Sequence, residues 1–212
     1  MKQQQRRRPE RTLRIIAGQW RGRKFRFPDS DSQIRPTPDR VRETLFNWLQ
    51  SHTEGARCLD LYAGSGALGL EALSRGAAAV VFVEQQRLVA DALRGLLSEW
   101  QAPNAQVIRG EARAYLSAPA ASAAREPFDL IFLDPPYAAS RTGELQAALA
   151  LLSRGWLKSG ARVYVEQARA DPPLAVRDTT FAGPYMSLRT GVAGEVRYHL
   201  LAADAAGGME AQ

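Results

Sequence analysis

Apolar positions along this chain recur in two alternating rhythms. Between residues 57 and 166, short and nearly continuous apolar runs alternate with longer stretches whose apolar residues return every three or four positions. The runs at 57–61, 79–83, 105–109, 128–133 and 161–166 read as buried strands, and the stretches at 67–75, 86–100, 111–117 and 142–153 as helices. Strands separated by helices build a parallel sheet with helices on both faces. Residues 119–127, rich in Ala, Ser and Pro, read as a loop. After residue 166 the helical rhythm stops. Extended segments near 174–181, 185–190 and 195–201, with turns at Gly183-Pro184 and from Gly191 to Gly194, predict an antiparallel edge on the sheet. The expected fold class is α/β, Rossmann-like and mostly parallel.

Ahead of this unit, residues 13–17 and 23–27 read as two short strands joined across Gly18 and Gly22, a β-hairpin that needs support from the body. Alternation in the second strand turns Phe25 and Phe27 one way and Lys24 and Arg26 the other. Arg35-Pro36-Thr37-Pro38 is a stiff extended linker, and Thr37 or Asp39 is placed to cap a helix over 39–50. Val41, Leu45, Trp48 and Leu49 give that helix its apolar face. The expected organisation is a disordered basic tail (1–11), a hairpin extension (12–34), a main domain (35–201) and a flexible tail (202–212).

Charge changes this picture. Residues 1–27 carry ten basic side chains and one acid, a net charge of +9, whereas the 212-residue chain totals +6, leaving −3 for the body. Such asymmetry points to a polyanion partner met by the amino-terminal segment. Arg14, Arg21, Arg23, Lys24 and Arg26 are the candidate phosphate contacts, with Trp20 as a stacking plane. One cysteine, Cys58, excludes an intramolecular disulfide and any cysteine-based zinc site. No apolar run approaches membrane-spanning length and the start lacks an apolar signal core, so a soluble cytoplasmic protein is expected.

The candidate chemistry lies at two strand ends. The run at 128–133 stops at Asp134-Pro135-Pro136-Tyr137, because proline has no N–H to give a ladder. Ligands of open α/β sheets bind outside the carboxyl ends of strands. There the Asp134 carboxylate and the Pro135 carbonyl are two acceptors suited to the N–H bonds of a nucleobase amine. Held this way, the amine lone pair turns out of conjugation toward an electrophile. Pro135 and Pro136 stiffen the acceptors, and Tyr137 can stack on the base.

The second site is the turn after the first strand of the body. Gly64, Gly66 and Gly69 satisfy G-x-G-x-x-G, and Glu84 ends the next strand 20 residues after Gly64. Spacing alone is compatible with a nicotinamide dinucleotide. Asp60 tips the choice. A carboxylate beside this turn repels a pyrophosphate but suits the ammonium and sulfonium of S-adenosylmethionine, and it can also hold the loop through backbone N–H groups. Methyl transfer gives Asp134 to Tyr137 a task that hydride transfer leaves undone.

Residues 12–201 resemble RsmD-type 16S rRNA guanine-N2 methyltransferases, of the class I S-adenosylmethionine-dependent kind. The resemblance rests on the stretch from Arg14 to Lys24, Arg35-Pro36-Thr37, the run from Asp39 to Leu49, the segment from Leu59 to Gly76 that holds the glycine loop, and Asp134-Pro135-Pro136-Tyr137. It implies a seven-stranded sheet, methylation of one guanine in small-subunit rRNA and base placement by Asp134 to Tyr137; the expected partner is 16S rRNA or a subunit particle, and the expected state is a monomer. By position, Asp60, Gly64, Ser65, Gly66 and Glu84 would bind the cofactor, with Arg35 and Thr37 over its methionine end or the incoming base. Glu111-Ala112 stands where the adenine contact falls, one methylene longer than the usual Asp. Methylation of adenine N6 in DNA is the chemical alternative, and the chain lacks room for a separate target-recognition domain. A binding protein on an inactive fold is countered by intact Asp60, Glu84 and Asp134. Cys58, His52 and His199 are assigned structural roles, and no metal is expected.

Overall fold

The computed structural model describes residues 10–28, 37–118, 126–135, 141–172, 174 and 185–203. Expectations for Arg35, Pro136, Tyr137, the tail before Glu10, the segment near 174–181 and the carboxyl-terminal tail therefore lie almost wholly outside the described residues.

Glu10–Arg14 (β1) and Lys24–Pro28 (β2) pair antiparallel, with Arg14 opposite Lys24. The hairpin begins earlier than its apolar pattern suggests, and Glu10 and Arg11 belong to the strand rather than to a disordered tail. Ile16 and Ala17 leave the ladder because their amides donate instead to the Glu71 carboxylate, at 2.8 and 3.0 Å. Helix α1 (Asp39–Trp48) follows, without the expected side-chain cap. Thr37 and Asp39 make tertiary contacts instead, Thr37 to Glu166 and Asp39 to Arg14, and Asp39 also accepts from Arg42 one turn along the helix.

The body runs β3 (Arg57–Asp60), α2 (Ala67–Ser74), β4 (Ala79–Glu84), α3 (Arg87–Glu99), β5 (Ala105–Arg109), α4 (Ala112–Ser117), β6 (Phe128–Leu133), α5 (Arg141–Leu152), β7 (Leu157–Ala168), β8 (Tyr185–Ala193) and β9 (Val196–Ala203). The seven strands order as β5-β4-β3-β6-β7-β9-β8. The first five are parallel, and β9 pairs antiparallel with both β7 and β8. The parallel half and its antiparallel edge match the sequence reading. One turn does not. Strand β8 runs on through Gly191, where the Tyr198 ring lies so close that a Cβ would sit 2.3 Å from its Cζ, and the chain reverses at Gly194 and Glu195.

Alternation along the strands feeds two cores. Phe82, Phe132 and Tyr164 pack on one face with Leu45 and Phe46 of α1 and with Ile15, Phe25 and Phe27 of the hairpin region. Val81, Ile131, Leu133 and Val163 pack on the other with Leu145, Leu149 and Leu152 of α5. The hairpin thus gains the support it needs: Phe25 meets Trp100 edge-on at 5.9 Å, while Lys24 and Arg26 stay exposed.

Polar contacts lock the hairpin in place. Besides its two amides, fully buried Glu71 takes Arg75 at 2.7 Å and faces buried Arg42 at 3.8 Å. Arg42 also donates to Asp39 and to the Arg14 carbonyl. Gly18 completes the seam. Its φ is +81°, and a Cβ there would stand 1.8 Å from the Ser74 carbonyl oxygen, which accepts the Gln19 amide. Removing one member of a buried charged cluster strands the others, at a cost of roughly 3–5 kcal/mol. Glu71→Ala is accordingly expected to lower unfolding free energy by about that much in urea titration. A loss below about 1 kcal/mol, the range of exposed pairs, would contradict this account of the seam.

Candidate active site

The sheet reverses its winding at β3, which pairs β4 on one side and β6 on the other. Asp60 lies opposite Phe82 of β4 and Phe132 of β6, and Phe132 lies opposite Tyr164 of β7. Side chains two residues apart share a face. Glu84, Asp134 and Glu166, each two residues beyond one of these aromatics, therefore follow the same face as Asp60. Four adjacent strand ends bring four carboxylates into one row, above the core that the aromatics fill.

The glycine turn hangs from two of them. Gly64 and Gly66 take left-handed φ values of +51° and +77°, which L side chains adopt only under strain. A Cβ on Gly69 would sit 2.2 Å from the Phe82 ring, so only glycine lets α2 lie this close to β4. Asp60 accepts the Gly69 amide at 3.1 Å. Glu84 accepts the Gly64 amide at 2.8 Å and the Gln86 amide at 2.7 Å. The loop-holding role foreseen for Asp60 is thus present. Ser65 is buried in the turn. Burial raises Asp60 to about 7, with the Glu84 charge adding to the rise and the Gly69 N–H opposing it. Burial also raises Glu84, against the amides that donate to it. Such carboxyls are poised to ionise when a cation arrives.

Thr37 is buried and donates to Glu166 Oε1 at 2.9 Å, and the Tyr164 hydroxyl donates to the same oxygen at 2.7 Å. The linker before α1 is thereby tied to the end of β7, beside Asp134. Pro135 is buried and Asp134 half-buried. Glu111 stands exposed at the start of α4, with Ala112 buried behind it. Sequence reasoning missed Glu166, although an acid closing the last parallel strand is the same signal that marked Asp60 and Glu84. It missed Glu71 altogether, since an acid within a helix carries no such mark.

The hairpin residues are not equally available. Arg21, Lys24 and Arg26 are exposed. Arg14 is exposed but paired with Asp39 at 3.1 Å, and the Arg23 guanidinium lies over the Trp100 ring at 4.7 Å. Trp20 is half-buried, edge-on to Trp100 at 5.0 Å, so part of its surface attaches the hairpin rather than offering a free stacking plane. Thr12, Lys24 and Arg26 border a groove of about 590 Å³ against Leu96 and Glu99 of α3.

His52 is paired with Ser51 at the surface, and His199 is buried with Nδ1 against Thr190, both away from the carboxylate row. Burial raises the Cys58 thiol far above its ordinary value, which makes it a poor nucleophile.

This sheet order, glycine turn and acidic strand ends define the class I methyltransferase architecture. It is shared by the Thermus thermophilus 16S rRNA N2 G1207 methyltransferase RsmC in complex with AdoMet and guanosine, at TM-score 0.63 and 24% identity over 92% of this chain and 50% of that one. Closer likeness narrows the class. The family described as "Conserved hypothetical protein 95" matches residues 13–182. Ribosomal RNA small subunit methyltransferase D of Escherichia coli K12 is 43% identical over 200 residues, 94% of each chain. The solved structure of yhhF from Escherichia coli superposes at TM-score 0.77, with 41% identity, over 92% of this chain and 99% of that one. The chain belongs to this family of ribosomal RNA small subunit methyltransferases.

Asp60 makes the free protein sensitive to pH in a defined direction. Its carboxyl binds a proton more tightly folded (about 7) than at its ordinary 3.8. The stability this confers is complete below 3.8 and is lost as pH rises through about 7. Asp60→Asn, neutral throughout, should gain on the native protein between pH 5 and 8 in cofactor-free melting curves. A constant difference in melting temperature over that range would contradict the shift.

Proposed function

We propose that this chain transfers a methyl group from S-adenosylmethionine to the exocyclic N2 of one guanine in small-subunit rRNA, acting as a monomer in the cytoplasm on the RNA or its subunit particle. The observation that carries the reading is the continuity of the carboxylate row. Asp60 and Glu84, which frame the glycine turn, lie on the same sheet face as Asp134, which begins the Asp-Pro-Pro-Tyr segment.

The residues present fit the cofactor. Bound there, S-adenosylmethionine supplies an electrophilic methyl group on a sulfonium. Asp60 is a buried carboxylate whose ionised form awaits a cation. Glu84 stands where a ribose offers two hydroxyls, and Gly64 and Gly66, on either side of Ser65, bring backbone close without a side chain in the way. Ala112 and the carbon stem of Glu111 border the adenine side. Arg35 and Thr37 are the residues that the resemblance assigns to the methionine end or the incoming base.

On the acceptor side, Asp134 and the Pro135 carbonyl take the two N–H bonds of the guanine amine. The amine lone pair is then free to point at the methyl carbon, and Pro136 and Tyr137 fix and stack the base. No nucleophilic side chain is needed, since preorganised acceptors do the work. The departing N2 proton passes to the Asp134 carboxylate. Arg14, Arg21, Arg23, Lys24 and Arg26, with Trp20, form the phosphate-binding face. They supply affinity that falls with salt and carries little sequence choice.

Asp134→Ala is expected to lower kcat on small-subunit particles by about 100-fold or more, comparable to removing one preorganised donor elsewhere, with cofactor affinity unchanged. An unaltered kcat would sink this role for Asp134. Cofactor binding should also release a proton at Asp60, so affinity falls as pH drops from 8 to 6 and does so less in Asp60→Asn. Calorimetry in two buffers of different ionisation enthalpy reads that proton directly, and no proton uptake or release at pH 7 would count against Asp60 as the cation's neighbour.

A further inference from the structure

Methyl transfer as proposed leaves one group at the site without a task. Glu166 lies just past the parallel run of β7, as deeply buried as Asp60, and its carboxylate accepts from Thr37 and Tyr164. We propose that Glu166 reads the base: its carboxylate accepts the N1–H of the guanine whose N2 amine is held at Asp134, and so selects guanine over bases lacking that donor. This inference rests on the reading above.

Position is the first argument. Leu133 of β6 lies opposite Val165 of β7, so Asp134 and Glu166 each come one residue beyond that pair, on neighbouring strands that run about 4.8 Å apart. Tyr164, two residues back on the same face, lies near both: burial raises its hydroxyl most, and the charges of Glu166 and Asp134 each add to the rise.

Orientation is the second. The hydroxyls of Thr37 and Tyr164 both donate to Oε1, at 2.9 and 2.7 Å, which fixes the plane of the carboxylate. A fixed acceptor beside Asp134 is preorganised for a donor next to the reacting amine. Guanine carries such a donor, for N1–H adjoins the 2-amino group on its pairing edge. Adenine presents a lone pair at N1, which a carboxylate repels. A site built to hydrogen-bond a donor rejects analogues without it far more strongly than a merely apolar pocket rejects a change of shape.

The other candidate role for Glu166 is to hold Thr37, and an amide separates the two. In Glu166→Gln the carbonyl oxygen still accepts from Thr37 and Tyr164, while the NH2 group turns a donor toward the base. The test uses the full-length protein, labelled S-adenosylmethionine, and small-subunit RNA carrying either guanine or 2-aminopurine at the position the native protein methylates. The analogue keeps the 2-amino group and lacks N1–H and the 6-oxo group, so the comparison between native protein and Glu166→Gln isolates the N1 contact. The native protein is expected to prefer guanine by about 100-fold or more in kcat/KM, within the range for a lost recognition hydrogen bond. In Glu166→Gln that preference should collapse toward one, through a lower rate on guanine, with melting temperature and cofactor affinity unchanged.

Equal methylation of both RNAs by the native protein would overturn the proposal without any variant. So would a Gln variant that keeps the native preference, which would leave Glu166 as a tether for Thr37. If the native protein places no methyl group on guanine at all, the parent reading fails and this one falls with it.

Discussion

Strand β3 is the constraint on which the site depends. Because it pairs with β4 on one side and β6 on the other, the chain must cross from one half of the sheet to the other, and a cleft opens at the carboxyl ends of the strands. The register then does the chemistry's placement. With Asp60 opposite Phe82 and Phe132, every second residue beyond those rings projects from the same face. On β4, β6 and β7 the residue two positions beyond the ring is an acid: Glu84, Asp134 or Glu166. A shift of one residue in any of these pairings would turn a carboxylate into the opposite core.

The amino-terminal hairpin is coupled to this cleft by burial rather than by its charge. Glu71 sits on the helix that follows the glycine turn, yet it binds the Ile16 and Ala17 amides and faces Arg42 of α1. One buried carboxylate therefore joins the basic face, the helix after the linker and the helix of the cofactor turn. Phe25 and Phe27 add an apolar contact, which leaves Lys24 and Arg26 in solvent. The positive charge of the hairpin's own strands is thus presented on a fixed surface.

Much of this was legible in the sequence because the parallel strands are short apolar runs bounded by glycine or an acid, and a run of that kind has few alternative readings. The glycine turn was legible for a different reason, since it depends on backbone conformations that few residue types supply. What escaped was set by tertiary contacts. Residues 15–17 have strand composition but give their amides to Glu71. Thr37 and Asp39 are good caps that find better partners in Glu166 and Arg14. Gly191 looks like a turn residue but stays in a strand because Tyr198 needs the space. Trp20, an apparent stacking plane, is partly covered by Trp100. In each case a residue's local preference was overridden by a partner more than five positions away.

The central claim is that the row of strand-end carboxylates brings a guanine amine to a methyl donor. Its most direct test is the identity of the methylated atom. Small-subunit particles labelled by this protein, digested to nucleosides and separated by mass, should yield N2-methylguanosine as the labelled species. Label in N6-methyladenosine, or in a methyl group on a guanine ring nitrogen, would contradict the account.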